Sequence, residues 1–378
     1  MNKRICFVCD SFISDSEATI TGPMVQTYLL GKELLKRGWE IHYLAYSKQG
    51  KAGTEENFEG LTVHWIQHRK FLPLLSYFQI LRNLKKINAS YYYQRGRDIL
   101  TGITALYCRR YGQKFIWASA GESGVERGKY INQLKKKKRS LLKKMPLWIE
   151  ARMNDWICEY GIENTDRIIV QTVYQGEQLK KNFGKDSIVI KSGHPVPKII
   201  ERTKPFKVLW IGSIKQVKRP ESFLQLAEMC QDLDCEFWMA GQMVDQRFSP
   251  MIKSAVSKLP KFKFLGAVPF DQSQHLISQA HVLINTTDEG YEGLPNAFVQ
   301  AWLAGTVTVS LHCDPDKVIS KYNLGMKCTT LNEIRSTLSY WFNNQNWDVL
   351  SSGCKEYAQT HFSLNIVAQN FEKMIYQR

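Results

Sequence analysis

Short, uninterrupted apolar runs alternate along the chain with stretches whose apolar positions fall three and four apart. The runs predict strands over residues 4–9, 40–46, 61–66, 90–94, 114–118, 167–171 and 188–191. The amphipathic stretches predict helices over 22–37, 72–86, 99–110 and up to 183, with a long basic helical region before 167. Strands that are apolar on every residue suit a parallel sheet buried on both faces, and strand–helix alternation builds right-handed βαβ units. Residues 196–205 interrupt the pattern with proline and charge, as a linker does. The alternation then restarts, with strands over 207–211, 236–240, 262–265, 282–285 and 306–310 and helices over 220–233, near 271–279 and over 294–303. Three helical segments close the chain, the last over 364–376.

This pattern predicts an α/β protein of two Rossmann-like, doubly wound parallel-sheet domains facing across a cleft. The first domain is expected over residues 1–195 and the second over 206–355, with 356–378 forming a C-terminal helix that crosses back to the first. The length of 378 residues agrees, at about 100–200 residues per domain. A composition of 44% hydrophobic and 23% charged residues excludes a disordered chain or a coiled coil. The 51 Lys and Arg against 35 Asp and Glu leave a formal charge of +16, which calls for an anionic partner. Candidates are nucleotide phosphates, nucleic acid or an acidic membrane surface. No aromatic-basic RNA motif, helix-turn-helix signal or zinc-finger spacing supports nucleic acid.

The apolar run after Lys3 and Arg4 stops at Asp10, too short for a secretory signal, and no run is long enough to span a bilayer. A cytoplasmic protein, peripheral at most on the inner face of the plasma membrane, is expected. The nine cysteines read as structural thiols. Cys6 and Cys9 form a CxxC inside a strand, where side chains three apart point to opposite faces. His64 and His68 have helical metal spacing but sit on a predicted strand, on the order of 13 Å apart. No metal site is expected.

The chemistry is concentrated in two loops. One follows the strand ending at Asn285 and reads Thr-Thr-Asp-Glu-Gly-Tyr-Glu292-Gly293-Leu294-Pro295-Asn296-Ala297, and a helix then begins. Open backbone N–H groups at Leu294, Asn296 and Ala297 form an anion site supported by the helix dipole. Glu292, beside it, suits neutral donors such as sugar hydroxyls, and Gly293 allows a ligand close to the backbone. The other loop, Gly212-Ser213-Ile-Lys-Gln-Val-Lys218-Arg-Pro220, follows a strand and opens a helix with cations that can neutralise a diphosphate.

These segments resemble the retaining glycosyltransferases of family 4, which have the GT-B architecture. The family signature is Glu, seven residues, then Glu. Here it reads Glu292-Gly-Leu-Pro-Asn-Ala-Phe-Val-Gln300, so the second acid is a glutamine. The resemblance implies that Glu292 meets the donor sugar and that position 300 meets the nucleotide ribose. Gln300 can bond a ribose without charge assistance, at a cost of about 1–2 kcal/mol. The family's Gly-Arg-x4-Lys pattern maps onto Gly212, Ser213 and Lys218. Lys218 is implied as a phosphate ligand, Ser213 brings no charge, and Lys215 or Arg219 is the available substitute.

In the first domain Thr21-Gly22-Pro23 resembles the family's glycine loop, with only Gly22 carried over, and Leu35-Lys-Arg-Gly-Trp39 resembles the ending of the helix that follows. The family's His near the donor sugar is missing from Trp117-Ala-Ser119-Ala-Gly-Glu122, which leaves Ser119 and Glu122 as candidates for donor or acceptor contacts. His194 reads as structural. Residues 129–144 hold eight basic residues and no acid, followed by apolar positions to 157. Two readings are open: a solvated basic helix with its apolar side packed internally, or an anionic membrane contact through residues 129–158.

The resemblance implies a retaining hexosyltransferase with Glu292 and Lys218 as catalytic residues. It would move a sugar from a nucleotide-sugar donor to a saccharide or lipid-linked acceptor, in cell-surface polysaccharide biosynthesis. No cofactor is expected, because the nucleotide-sugar is a substrate. A nucleotide-sugar-binding GT-B protein without transfer activity and a GT-B nucleotide-sugar epimerase are the alternatives.

Overall fold

The computed structural model describes residues 3–16, 18, 20–47, 50–67, 75–136, 141–198, 200–344 and 347–377, with the side chains of 75, 76, 136, 141–144 and 271 left aside. The chain divides into two compact units, Met1–Lys191 with Val367–Arg378, and Ser192–Ile366. The boundaries differ from the expected ones. The first unit ends before the Pro-rich stretch, and residues 356–366 stay with the second.

The first unit is built from β1 (Arg4–Cys9), α1 (Gly22–Lys36), β2 (Glu40–Ser47), β3 (Glu55–Phe58), β4 (Leu61–Gln67), α2 (Leu75–Ile87), β5 (Tyr91–Arg95) and α3 (Ile99–Tyr111). It continues with β6 (Lys114–Ala118), α4 (Lys129–Lys136), α5 (Leu141–Glu163), β7 (Arg167–Val170), α6 (Val173–Phe183) and β8 (Ile188–Val189). The eight strands run in the order β3-β4-β2-β1-β5-β6-β7-β8. All pairings are parallel except β3 on β4. β1 shows why its residues are continuously apolar. Ile5, Phe7 and Cys9 enter the core on one face of the sheet, Cys6 and Val8 the core on the other. Cys6 and Cys9 therefore lie on opposite faces, and all nine cysteines are buried free thiols. Burial pushes the Cys235 and Cys354 thiols up to about 12.

The second unit carries β9 (Phe206–Ile211), α7 (Pro220–Met229), β10 (Cys235–Ala240), α8 (Ser249–Lys258), β11 (Phe262–Gly266), α9 (Phe270–Gln279), β12 (Val282–Asn285) and α10 (Asn296–Ala304). Then come β13 (Val307–Ser310), α11 (Val318–Lys321), β14 (Gly325–Lys327), α12 (Leu331–Asn344) and α13 (Trp347–Phe362). Its sheet is fully parallel, in the order β11-β10-β9-β12-β13-β14. The last helix, α14 (Leu364–Tyr376), sends Val367, Ala368, Phe371 and Met374 into the core of the first unit. There Glu372 accepts from Trp39 Nε1 at 2.8 Å and from Arg37 Nη1 at 2.9 Å.

Among the described residues several elements escape the periodicity, the four-residue α11 among them. β3 is the polar run Glu-Glu-Asn-Phe and exists because β4 offers it an edge. β14 has only three residues, and α8 follows a Ser-Pro start inside a mixed stretch. His64 also finds an unexpected partner. His42 on the neighbouring strand places Nδ1 3.1 Å from His64 Nε2, and His68, the sequence candidate, lies outside the described residues. No helix among the described residues is long and apolar enough to cross a membrane.

Candidate functional site

In the second unit the chain winds outward from β9 to β10 and β11, then returns to the other side of β9 with β12, β13 and β14. The winding direction reverses between β9 and β12, which are paired through Val208 and Val282. At such a switch point the loops leaving the two strands diverge and open a crevice at their carboxyl ends. The two chemically loaded loops leave these two strands, so their placement follows from the topology.

The loops are tied to each other. Thr286, fully buried just after β12, donates to the carbonyl of Lys218 at 2.7 Å and accepts from Trp210 Nε1 of β9 at 2.9 Å. Asp288 N donates to the carbonyl of Val217 at 2.9 Å. Asn285 Nδ2 donates to Thr287 Oγ1, and Thr287 N donates to Asn285 Oδ1, both at 3.1 Å. These bonds fix a short 3-10 turn, Gln216–Lys218, after which Arg219 takes φ +46 and Pro220 opens α7.

On this scaffold Lys218 and Glu292 meet. Lys218 Nζ donates to Glu292 Oε1 in a close ion pair, while Thr287 Oγ1 lies 3.5 Å from the other carboxylate oxygen. Both side chains keep partial solvent access, 16% and 21%. Gly212 is held by its N–H, which donates to the carbonyl of Ala240 at 3.1 Å. Gly241 stands at φ +157, where a Cβ would lie 1.8 Å from the Gly212 carbonyl oxygen, so glycine at 241 sets the height of the Gly212 turn. Ser213 is half-buried, with a short polar side chain and no charge.

Gly293, Leu294 and Pro295 are buried at the foot of α10. The helix starts at Asn296, two residues later than expected, because Pro295 adopts an extended ψ of 133 and serves as its N-cap. Phe298 and Val299 donate back to the Pro295 carbonyl at 3.1 and 3.4 Å. The N-terminal turn of the helix, expected to face an anion, therefore begins at Asn296 and Ala297, and Leu294 belongs to the hydrophobic core. Gln300 sits one turn further in and is buried. Its Nε2 donates to Ser273 Oγ of α9 at 3.3 Å, and Gln274 Nε2 donates to its carbonyl at 3.0 Å. Lys215 donates to Tyr291 OH at 3.0 Å, and Arg219 lies 3.7 Å from Asp288 and 3.4 Å from Glu221. The structure thus brings Lys218, Glu292 and the loops of Gly212 and Gly293 together, while Gln300 is engaged by α9.

The first unit has its own reversal between β1 and β5. Gly22 is exposed at the first position of α1, whose N-cap Thr21 accepts from Met24 N at 3.4 Å. Ser119 is buried. It donates to the Gly121 carbonyl at 2.9 Å, and its own carbonyl accepts from Gln171 Nε2 at 3.0 Å. The Ser119 hydroxyl is thus spent on its own loop. Glu122 opens a short 3-10 turn, Glu122–Val125, half-buried. Asp98, absent from the sequence candidates, caps α3 through Leu100 N at 2.7 Å and accepts from Gln94 Nε2 at 2.8 Å. Burial, and next the neighbouring Asp10 carboxylate, push the Asp98 carboxyl up to about 6. The signal available in the sequence was the capping-box spacing of Asp98 and Thr101.

Residues 205–333 match the family model described as Glycosyl transferases group 1. Comparison with curated proteins finds no match in sequence. Among solved structures the chain is similar to the sucrose-phosphate synthase of Thermosynechococcus elongatus, at TM-score 0.74 and 13% identity over 99% of this chain and 98% of that one. It is also similar to HepE of Anabaena in complex with UDP and glucose, at TM-score 0.71 and 11% identity over 98% and 99%. A third likeness is to a TarM variant of S. aureus in complex with fondaparinux, alpha-GlcNAc-glycerol and UDP. There the TM-score is 0.67 and the identity 11%, over 99% and 100%. At such identities these likenesses carry the fold, which is GT-B: two parallel-sheet α/β units of Rossmann type.

Proposed function

Taking as premise an enzyme of the glycosyltransferase class, with a group 1 domain at residues 205–333 and the GT-B fold throughout, we propose that it moves a sugar from a nucleotide-sugar to a saccharide or lipid-linked acceptor with retention. The observation that carries this reading is the pairing of Lys218 with Glu292 at the β9–β12 switch point, beside the N-terminus of α10. An ammonium and a helix end suit the two phosphates of a departing nucleotide, and they act as preorganised electrostatics in a partly desolvated site. A carboxylate at the same place suits the hydroxyls of the transferred sugar.

In this reading Gly212, Ser213, Lys218, Gly293, Leu294, Pro295, Asn296 and Gln300 form the donor side, with Glu292 and Lys218 carrying the reaction. Lys218 leaves Glu292 for the diphosphate when donor binds, which frees the carboxylate for the sugar. The donor is a uridine diphosphate sugar, the nucleotide bound by the similar HepE and TarM structures. The acceptor belongs to the first unit, near Gly22, Ser119 and Glu122. Work at a cytoplasmic membrane face in surface polysaccharide assembly suits a lipid-linked acceptor.

A second reading, donor binding without turnover, is favoured by Gln300, whose amide is committed to Ser273. One experiment separates them. Glu292→Ala is assayed for sugar transfer and for nucleoside-diphosphate binding by titration calorimetry. Transfer should vanish while binding survives. Near-normal transfer would overturn the assignment of Glu292, and a wild-type protein that binds donor without releasing nucleotide or altering the sugar would favour the second reading.

A further inference from the structure

We infer, resting on the donor reading above, that Lys215 and Tyr291 form a second anion-binding group at the β9–β12 switch point, and that it takes a phosphate of the donor's diphosphate. The backbone fixes Lys215 on both sides. Ile214 N donates to the Gln242 carbonyl at 2.9 Å, and the Ile214 carbonyl accepts from Val244 N at 3.2 Å and from Asp245 N at 3.0 Å. The Lys215 carbonyl accepts from Lys218 N at 3.0 Å, which makes Lys215 the N-cap of the 3-10 turn that ends at Lys218. From this one turn the two lysines reach two consecutive residues of the opposite loop. Lys218 meets Glu292, and Lys215 Nζ donates to Tyr291 OH at 3.0 Å, 5.2 Å from the centre of the ring.

The three cations of this loop differ in what already holds them. Lys218 is paired with Glu292. Arg219 has Glu221 at 3.4 Å and Asp288 at 3.7 Å. Lys215, half-buried, has a phenol where the other two have carboxylates, and among the described residues no carboxylate pairs with it. An arriving anion must break an ion pair to reach Lys218 or Arg219, whereas Lys215 offers a charge that nothing has neutralised. The sequence leaves Lys215 and Arg219 as equal substitutes for the charge that Ser213 does not bring. The contacts of Arg219 with two acids and of Lys215 with none favour Lys215.

The phenol adds a donor of its own. An ammonium can only donate, so in this contact the Tyr291 oxygen accepts. The phenol hydrogen is left for another acceptor, and among the described residues it has none. A hydroxyl that accepts from a cation also becomes a stronger donor. Tyr291 is 43% exposed, so a ligand can reach it. The pair therefore presents donors alone: the remaining ammonium N–H bonds and one O–H. A phosphate oxygen, which only accepts, matches them with charge-assisted bonds. A sugar hydroxyl, which must also donate, is served by the Glu292 carboxylate next in the chain.

The test is titration calorimetry on the full chain with UDP, inorganic pyrophosphate and uridine. Lys215→Met keeps the length of the side chain and removes its charge. It should weaken UDP and pyrophosphate about tenfold and leave uridine unchanged. Tyr291→Phe should weaken both phosphate ligands about threefold. Lys215→Arg, which keeps the charge, should retain most of the affinity. The UDP affinity of Lys215→Met should also fall less steeply with rising salt than that of the wild type, a change that a merely structural lysine does not produce. Unchanged thermal unfolding curves would show that the variants keep their fold. Wild-type UDP affinity in Lys215→Met would overturn this assignment and leave the donor reading standing. A loss confined to pyrophosphate would overturn it in favour of a free-anion site apart from the donor. A loss in Lys215→Met no larger than in Tyr291→Phe would reduce Lys215 to holding the phenol and overturn its contact with phosphate. A wild-type protein that binds neither UDP nor another nucleoside diphosphate would overturn the donor reading and this assignment with it.

Discussion

Lys218 and Glu292 lie 74 positions apart in sequence, yet the ammonium of one donates to the carboxylate of the other. The contact exists because Thr286 anchors the Lys218 carbonyl and because β9 and β12 are neighbours in the sheet. The two groups proposed to meet the diphosphate and the sugar of the donor are thus paired with each other.

Competition between Glu292 and a diphosphate for one ammonium has a measurable sign. Glu292→Gln should abolish transfer and tighten nucleoside-diphosphate binding about two- to fivefold, because a partly buried ion pair no longer has to be broken. Lys218→Ala should weaken the diphosphate about 10- to 100-fold and leave the nucleoside nearly unaffected, as loss of a charge-assisted bond requires. Calorimetry with both ligands checks this. Equal losses for nucleoside and diphosphate would remove Lys218 from the phosphates.

Thr286→Val keeps the shape of a buried side chain and deletes two hydrogen bonds. Trp210 Nε1 loses its acceptor and the Lys218 carbonyl its donor. Unfolding free energy should fall by about 2–3 kcal/mol, and diphosphate affinity should fall with it as the 3-10 turn loosens. Urea titration followed by calorimetry measures both. Full stability in the variant would show that water replaces the hydroxyl.

Restoring the second acid of the signature should harm this protein. Ser273 Oγ donates to the Phe270 carbonyl at 2.7 Å, so it can only accept from position 300. Gln300 donates there, and a carboxylate cannot. Gln300→Glu should therefore cost about 1–3 kcal/mol of stability with no gain in UDP affinity. Tighter UDP binding at unchanged stability would put the side chain at the ribose after all.

His281 should make the second unit acid-sensitive. Lys207 N donates to its Nδ1 at 3.0 Å, which requires a neutral ring, and Phe206 and Trp347 enclose it. Burial, then the charges of Arg202 and Lys207, push its pKa down to about 4. The unfolded chain, near 6.5, binds the proton more readily, so the contribution is present above 6.5 and is lost as pH falls toward about 4. His64, lowered to about 4 by burial although Glu55 opposes the shift, adds a slope of the same sign. The urea midpoint should drop between pH 7 and pH 5, and less steeply in His281→Asn, which keeps an acceptor for Lys207 N. Identical slopes in the two proteins would exclude His281.

The continuous apolar strands were legible because a strand covered on both faces leaves no polar alternation to misread. The two loops that meet at the β9–β12 switch point stood out in the sequence because their polar and charged residues are local. Thr286 was not, since a threonine after a strand looks like any turn residue until Trp210 and Lys218 close on it. Gln300 was read toward a ribose from the resemblance, and its bond to Ser273, on another helix, was not visible along the chain. His64 was weighed against His68 along the chain, while the sheet register supplied His42. The apolar spacing of α5 was visible too, but periodicity alone does not tell an inner face from an outer one, and Trp148 and Trp156 lie outside, 52% and 72% exposed.

The helix that completes the first unit follows the whole of the second unit along the chain. Until it arrives, Trp39, Tyr93 and their neighbours lack the cover that Phe371, Ala368 and Met374 provide. Residues 192–366 are contiguous and already complete at that moment. During synthesis the natural order of domain maturation is therefore reversed. The second unit can finish folding on the ribosome, while the first waits, with one face of its sheet open, for α14 to be released. A chain cut short anywhere before α14 loses the half that was translated first.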